Sequence, residues 1–121
     1  APEFSTALGQ VAFNYRRGKM AEAIAQLKGI AQEISAASLI IQSPNFSNQK
    51  LAAESMPWVV HYQRGGEILA LLAQNLESHA DGGFVRTLAD EALTWRSRIF
   101  GDSLHMFLGE LSDDLISQNG H

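Results

Sequence analysis

The stretch 84–118 constrains this chain more than any other. Val85, Leu88, Ala92, Trp95 and Ile99 fall there at alternating steps of three and four, the spacing that gathers side chains on one face of an α-helix. After Phe100 and Gly101 the stripe resumes out of phase as Leu104, Phe107 or Leu108, Leu111 and Leu115. Either one long helix bends there, or a helix stops at Gly101 and a second starts on Asp102 as its cap. In both readings the rest of the chain has to cover this surface.

The upstream segments are built to do so. Ser5 or Thr6 can cap a first helix reaching about Arg17, with Leu8, Val11, Ala12 and Tyr15 inward, and Gly18 ends it. A second helix is expected from Lys19 to about Gln42, with Met20, Ala23 or Ile24, Leu27, Ile30 or Ala31, Ile34 and Ile41 inward. Its last turn, Leu39, Ile40 and Ile41, is apolar on more than one side, the pattern of a helix contacted from two directions. Ser43 and Pro44 break the chain. A third helix starts on Ser47 or Asn48 and runs to about His79 along a stripe of Leu51, Ser55, Trp58, Tyr62, Gly65, Leu69, Leu72 and Leu76. Pro57 should kink that helix or mark its true start, and Gly65 on the stripe suits the close approach of a neighbouring backbone. Asp81 is placed to cap the helix that follows.

No segment alternates with period two, so no sheet is expected. Long amphipathic helices on short connections favour antiparallel neighbours. The expected fold is all-α, an antiparallel four- or five-helix bundle forming a single domain over 5–121, with 1–4 read as a cloning remnant.

Composition narrows the classes of function. The 121 residues suit one core, and a hydrophobic fraction of 45% against 18% charged marks a globular chain. The charge fraction is low for a monomeric bundle, which points to a helix face that meets a partner. A net charge of -4 argues against nucleic acid binding driven by bulk charge. Without cysteine there is neither a disulfide framework nor a thiolate metal site. No stretch reaches the roughly 20 apolar residues of a membrane span and no signal peptide opens the chain, so a soluble, cytoplasmic protein is the expectation. Phosphate-cradling glycine loops and a Gly-x-Ser-x-Gly nucleophile turn are missing, and no motif calls for a cofactor.

Three local patterns bear on activity. Residues 15–24, YRRGKMAEAI, resemble the inner part of a tetratricopeptide repeat, which implies a peptide-binding helical scaffold, although nothing recurs at the period of about 34 that an array requires. Residues 81–88, DGGFVRTL, resemble the arginine-finger loop of bacterial effectors that act as GTPase-activating proteins for Rho-type GTPases. That resemblance implies that Arg86 enters a nucleotide site and neutralises transition-state charge; read from the residues alone, Arg86 is a solvent-exposed arginine in a first helical turn. Arg98 and His105 are spaced as in helical HEPN-type ribonucleases, where such a pair handles a phosphodiester by acid-base catalysis. Their plainer reading is an exposed arginine and a histidine flanking the core. Asp102 and His105 share a helix face at i and i+3, yet the further helices and glutamates of a metal-binding bundle are missing, so no metal site is expected.

The leading expectation is a non-enzymatic interaction domain that binds a protein partner or a second copy of itself. Its candidate surface comprises Leu39, Ile40, Ile41 and Met106, with the basic Arg16 and Arg17 facing a partner of complementary charge. Bacterial adaptor, regulatory and secretion-associated domains offer an analogy at the level of fold class. The alternatives are an effector or nuclease-type domain using Arg86 or Arg98 and His105, and a small-ligand sensor with a pocket near Trp58 and Gly65.

Overall fold

The structure, a computed structural model, describes residues 2–95 and 98–118, without the side chains of Pro2, Trp58, Arg98 and Ile99. Five helices make up the described chain: α1 (Pro2–Arg16), α2 (Met20–Gln42), α3 (Gln49–Ser78), α4 (Gly82–Leu93) and α5 (Arg98–Gln118). Cross-links between neighbours fix their directions. Asn14 bonds Gln26, Lys28 pairs with Glu77, Gln42 bonds Gln63, Arg64 pairs with Glu91, and Ser112 bonds the Gly82 carbonyl. Along α2 and α3 the partner falls from Glu77 to Gln63 as the first residue rises from Lys28 to Gln42, and along α4 and α5 it falls from Ser112 to His105 as the first rises from Gly82 to Ala89, so both pairs run antiparallel; α1 folds back on α2, and α3 on α4, over short connections. The expected all-α antiparallel bundle is what the chain forms.

Local signals place most boundaries. Gly18, at φ +78°, closes α1 while Gly18 N–H donates to the Tyr15 carbonyl and Lys19 N–H to that of Asn14, the paired bonds of a Schellman cap. The Asn48 side chain accepts from Leu51 N–H at the start of α3, and Asp81 accepts from Gly83 and Phe84 at the start of α4.

Several expectations need correction. Helix α1 begins at Pro2, ahead of Ser5 and Thr6: proline fits a first turn whose N–H groups lack partners anyway, and Glu3 complements the dipole. Pro57 lies inside a continuous α3 and does not mark its start. The break in the 84–118 stretch comes after Leu93, eight residues before Gly101. Thr94 caps α4, its backbone N–H donating to the Glu91 and Ala92 carbonyls, and α5 opens at Arg98. Gly101 and Asp102 therefore lie within α5, and Asp102 caps nothing.

One core joins all five helices. Leu8, Val11, Leu27, Ile34, Leu69, Leu72, Val85, Leu88, Leu104, Leu108 and Leu115 are among its buried members, and Phe107 and Leu108 are both inside. In the first half of α3 Ser55 is buried as its place on the stripe implies, but Leu51 is half-exposed and the off-stripe Ala52 and Val59 are buried instead.

Two backbone positions carry opposite strain. A Cβ on Gly82 would stand 3.0 Å from both the Ile116 nitrogen and the Ser112 carbonyl oxygen, so the α4–α5 approach requires glycine there. Gly82→Ala is expected to lower stability by about 1–3 kcal/mol, read as a lower denaturant midpoint with an unchanged slope. Ala80, by contrast, holds φ 49°, in the left-handed region that costs an L-residue roughly 1 kcal/mol. Ala80→Gly is expected to return part of that, raising the midpoint; a fall would show that the turn depends on the Ala80 methyl.

Candidate interaction surface

The organisation of the surface follows from where four helices stop together. Phe100, in the first turn of α5, lays its ring over Gly65, where a Cβ would come within 2.2 Å of it. The same ring contacts Phe4 at 4.5 Å, Tyr62 at 5.0 Å and Trp95 at 5.9 Å between centroids, and His61 stacks on Trp95 at 5.6 Å. The start of α1, the end of α4 and the start of α5 thus meet α3 near Tyr62–Gly65, while Gln42 ends α2 opposite Gln63. Gly65 admits an aromatic ring rather than the backbone expected, and the space proposed for a small ligand beside it is filled. Trp58, the other wall of that expected pocket, lies outside the described side chains.

Beyond this level α3 continues with Ala52, Ser55 and Val59 buried on one side and the remaining sides open. Residues 49–61 amount to thirteen positions, about 20 Å of helix, accompanied by the last turn of α2 and the 43–48 loop. Here the exposed large apolar side chains concentrate: Leu39 is 63% exposed, Ile40 58% and Val60 64%, with Leu51 and Met56 also open to solvent. Ile41 is half-buried. Isolated exposed leucines are ordinary; here Leu39 and Ile40 are adjacent on α2, and Met56 and Val60 lie one turn apart on α3.

Two grooves run down from this end. On the outer face of the α2–α3 hairpin a shallow groove of about 360 Å³ is lined by Lys28, Gln32, Ser35, Gln63, Glu67 and Ala70, among others. Leu39 continues the α2 wall at i+4 from Ser35, and Met56 and Val60 continue the α3 wall at i−7 and i−3 from Gln63. Between α3 and α4 a wider groove of about 600 Å³ includes Val60, His61, Arg64, Glu91 and Trp95. Its polar groups are engaged with each other: Arg64 donates from Nε and Nη2 to both Glu91 oxygens at 2.7 and 2.9 Å and from Nη1 to Glu67 at 3.2 Å. Hydrogen bonds from Arg64 hold the Glu91 carboxyl below the usual glutamate range against the opposing effect of burial, and those that the guanidinium donates to Glu91 and then to Glu67 hold Arg64 more firmly protonated.

The other candidate residues are scattered. Arg16 and Arg17 are exposed at the opposite end of the bundle, where Arg17 lies 4.9 Å from the Phe13 ring centre. Met106 is 62% exposed on α5. Arg86 pairs with Asp113 across the α4–α5 hairpin. His105 Nδ1 donates to the Ala89 carbonyl at 2.7 Å, since a carbonyl can only accept, so this contact sets the tautomer of the neutral ring. Arg98 opens α5, and its side chain lies outside the described ones. Among the described residues no cluster of three His, Asp or Glu side chains has metal-binding geometry, and no helix is long and apolar enough to cross a membrane.

Tyr15, inward as its place in the stripe implies, brings a polar group into the core. Its hydroxyl is buried without a hydrogen-bond partner among the described residues, beside a cavity of about 20 Å³ lined by Arg16, Glu110 and Asp114 among others, room for one water molecule. Burial pushes the phenol pKa up, and the Asp114 charge adds to it.

No protein-family model, no curated protein and no solved structure matches the chain.

The clamp on Arg64 has a pH signature. Because the folded-state pKa of Glu91 is depressed, its contribution is present above the unfolded glutamate value of about 4.3 and is lost as pH falls through the folded value. Glu91→Gln is expected to cost about 0.5–1 kcal/mol at neutral pH, the pair being one-third exposed. The gap from the parent protein should close below pH 4; a gap that persists in acid would assign the loss to packing.

Proposed function

We propose that this chain is a non-enzymatic interaction domain whose docking surface is the projecting end of the α2–α3 hairpin. One observation carries the reading: Leu39, Ile40 and Val60 are each more than half exposed at the α2–α3 end, and Leu51 and Met56 are partly open beside them. The exposed parts of these large apolar side chains gain nothing from the fold. Partner binding gives them the burial that folding does not.

Two of the polar groups considered for catalysis, Arg86 and His105, have contacts within the fold. Arg86 is taken up by Asp113 and His105 by the Ala89 carbonyl, one on each side of the α4–α5 hairpin. Both make the contacts that hold two antiparallel helices in register, and a group that acts on a substrate would first have to give them up. The interaction surface within the earlier candidate set is accordingly Leu39 and Ile40, with Met56 and Val60 added and with Ile41 contributing from its half-buried position.

A photo-crosslinking side chain placed at Leu39, in the full chain and in extract of the source cells, tests the surface directly. Protein adducts are expected at Leu39 and not at Asp90, an exposed polar position on α4. Equal labelling at both sites, or none at Leu39, would remove the hairpin end as a docking surface.

A further inference from the structure

We propose that the cavity beside Tyr15 is a hydration site, in which one buried water molecule takes the Tyr15 hydroxyl and carries its hydrogen bond across from α1 to the Asp114 carboxylate on α5. The site is independent of the docking surface at the α2–α3 end.

The hydroxyl is the first argument. Tyr15 is 9% exposed, and its oxygen is buried without a hydrogen-bond partner among the described residues. A buried hydroxyl left unbonded forfeits its full hydration, and native interiors avoid this by bonding almost every such group to protein or to water. Burial and the Asp114 charge both hold the phenol protonated, so it enters the site as a donor in need of an acceptor.

Size and lining fix what that acceptor is. The cavity measures about 20 Å³, above the roughly 10–15 Å³ that one water needs and too small for an organic ligand. Dry cavities of proteins are apolar; this one has Tyr15 and Arg16 of α1 and Glu110 and Asp114 of α5 in its lining. Glu110 and Asp114 are four positions apart, which sets them one above the other on a single face of α5. A water between them and the phenol accepts from the Tyr15 O–H and donates to the two carboxylates. Those three bonds are the usual complement of a buried water. The contact between α1 and α5, otherwise made here by apolar side chains such as Val11, Phe107 and Leu111, thereby gains a polar link.

The sign of one substitution tests this. Removing a hydroxyl that has no partner relieves the fold, whereas removing one that is bonded through water weakens it. Tyr15→Phe in the full chain is therefore expected to lower the folding equilibrium constant about fivefold, read as a lower urea midpoint with an unchanged slope and unchanged helical circular dichroism. Nuclear Overhauser transfer from water to the ring protons of residue 15, with the sign of a molecule held longer than the protein tumbles, is expected in the parent and absent from Tyr15→Phe. In an Asp114→Ala background the cost of Tyr15→Phe should shrink, because the far end of the bridge is gone; in a Gln118→Ala background it should persist. A midpoint that rises or stays level in Tyr15→Phe would overturn the proposal, as would the lack of a long-lived water at the ring. So would a cost that Gln118→Ala abolishes and Asp114→Ala leaves intact, since the hydroxyl would then belong to the Gln118 amide.

Discussion

Phe100 over Gly65 is the contact on which the arrangement of the helices depends. A ring can sit against α3 at that height only where there is no Cβ, and the same ring meets Phe4 from α1, Tyr62 from α3 and Trp95 from the α4–α5 connection. One side chain therefore ties three helices and a turn together, at a level where apolar and aromatic burial is worth several kcal/mol. It also ends the bundle. Above it α3 keeps one side buried, at Ala52, Ser55 and Val59, and turns Leu51, Met56 and Val60 toward solvent.

The opposite end is held by a different chemistry. Gly82 lets the start of α4 approach α5 closely enough for Ser112 Oγ to donate to the Gly82 carbonyl at 2.9 Å, with Arg86 and Asp113 closing the same hairpin from outside. A buried hydroxyl is tolerated there because it is bonded. Together the two glycine contacts fix the α4–α5 pair at both of its ends, so the aromatic cluster and the Arg64 clamp are presented by a rigid frame.

Much of this frame was legible in the sequence, for physical reasons that differ by element. Caps are local events: Gly18, Asn48 and Asp81 act on neighbours within six positions, and their residue types announce them. The inward faces of α1 and of the second half of α3 followed from periodicity because a full core surrounds them. Periodicity failed where the surroundings end. Leu51 shares a stripe with Leu69 and Leu72, yet it is half-exposed because no helix is opposite it, and a helix pattern cannot record the length of its neighbours. The break after Leu93 was missed for a related reason. Gly101 was the stronger breaker by propensity, but glycine also suits the close approach of α5 to α4, where a Cβ on residue 101 would stand 3.2 Å from the Ala92 carbonyl oxygen, and tertiary approach outweighed local preference.

The same reasoning separates the apolar residues that serve the fold from those that do not. The apolar end of α2 stood out in the sequence as a helix with too many hydrophobic sides, and Leu39 and Ile40 are exposed as that excess implies. Met56 and Val60 carried no comparable signal, since each alone is an ordinary member of an amphipathic helix. They are exposed because this part of α3 is buried on its Ala52, Ser55 and Val59 side instead, a choice of face that the positions of Met56 and Val60 in the helical pattern do not fix by themselves.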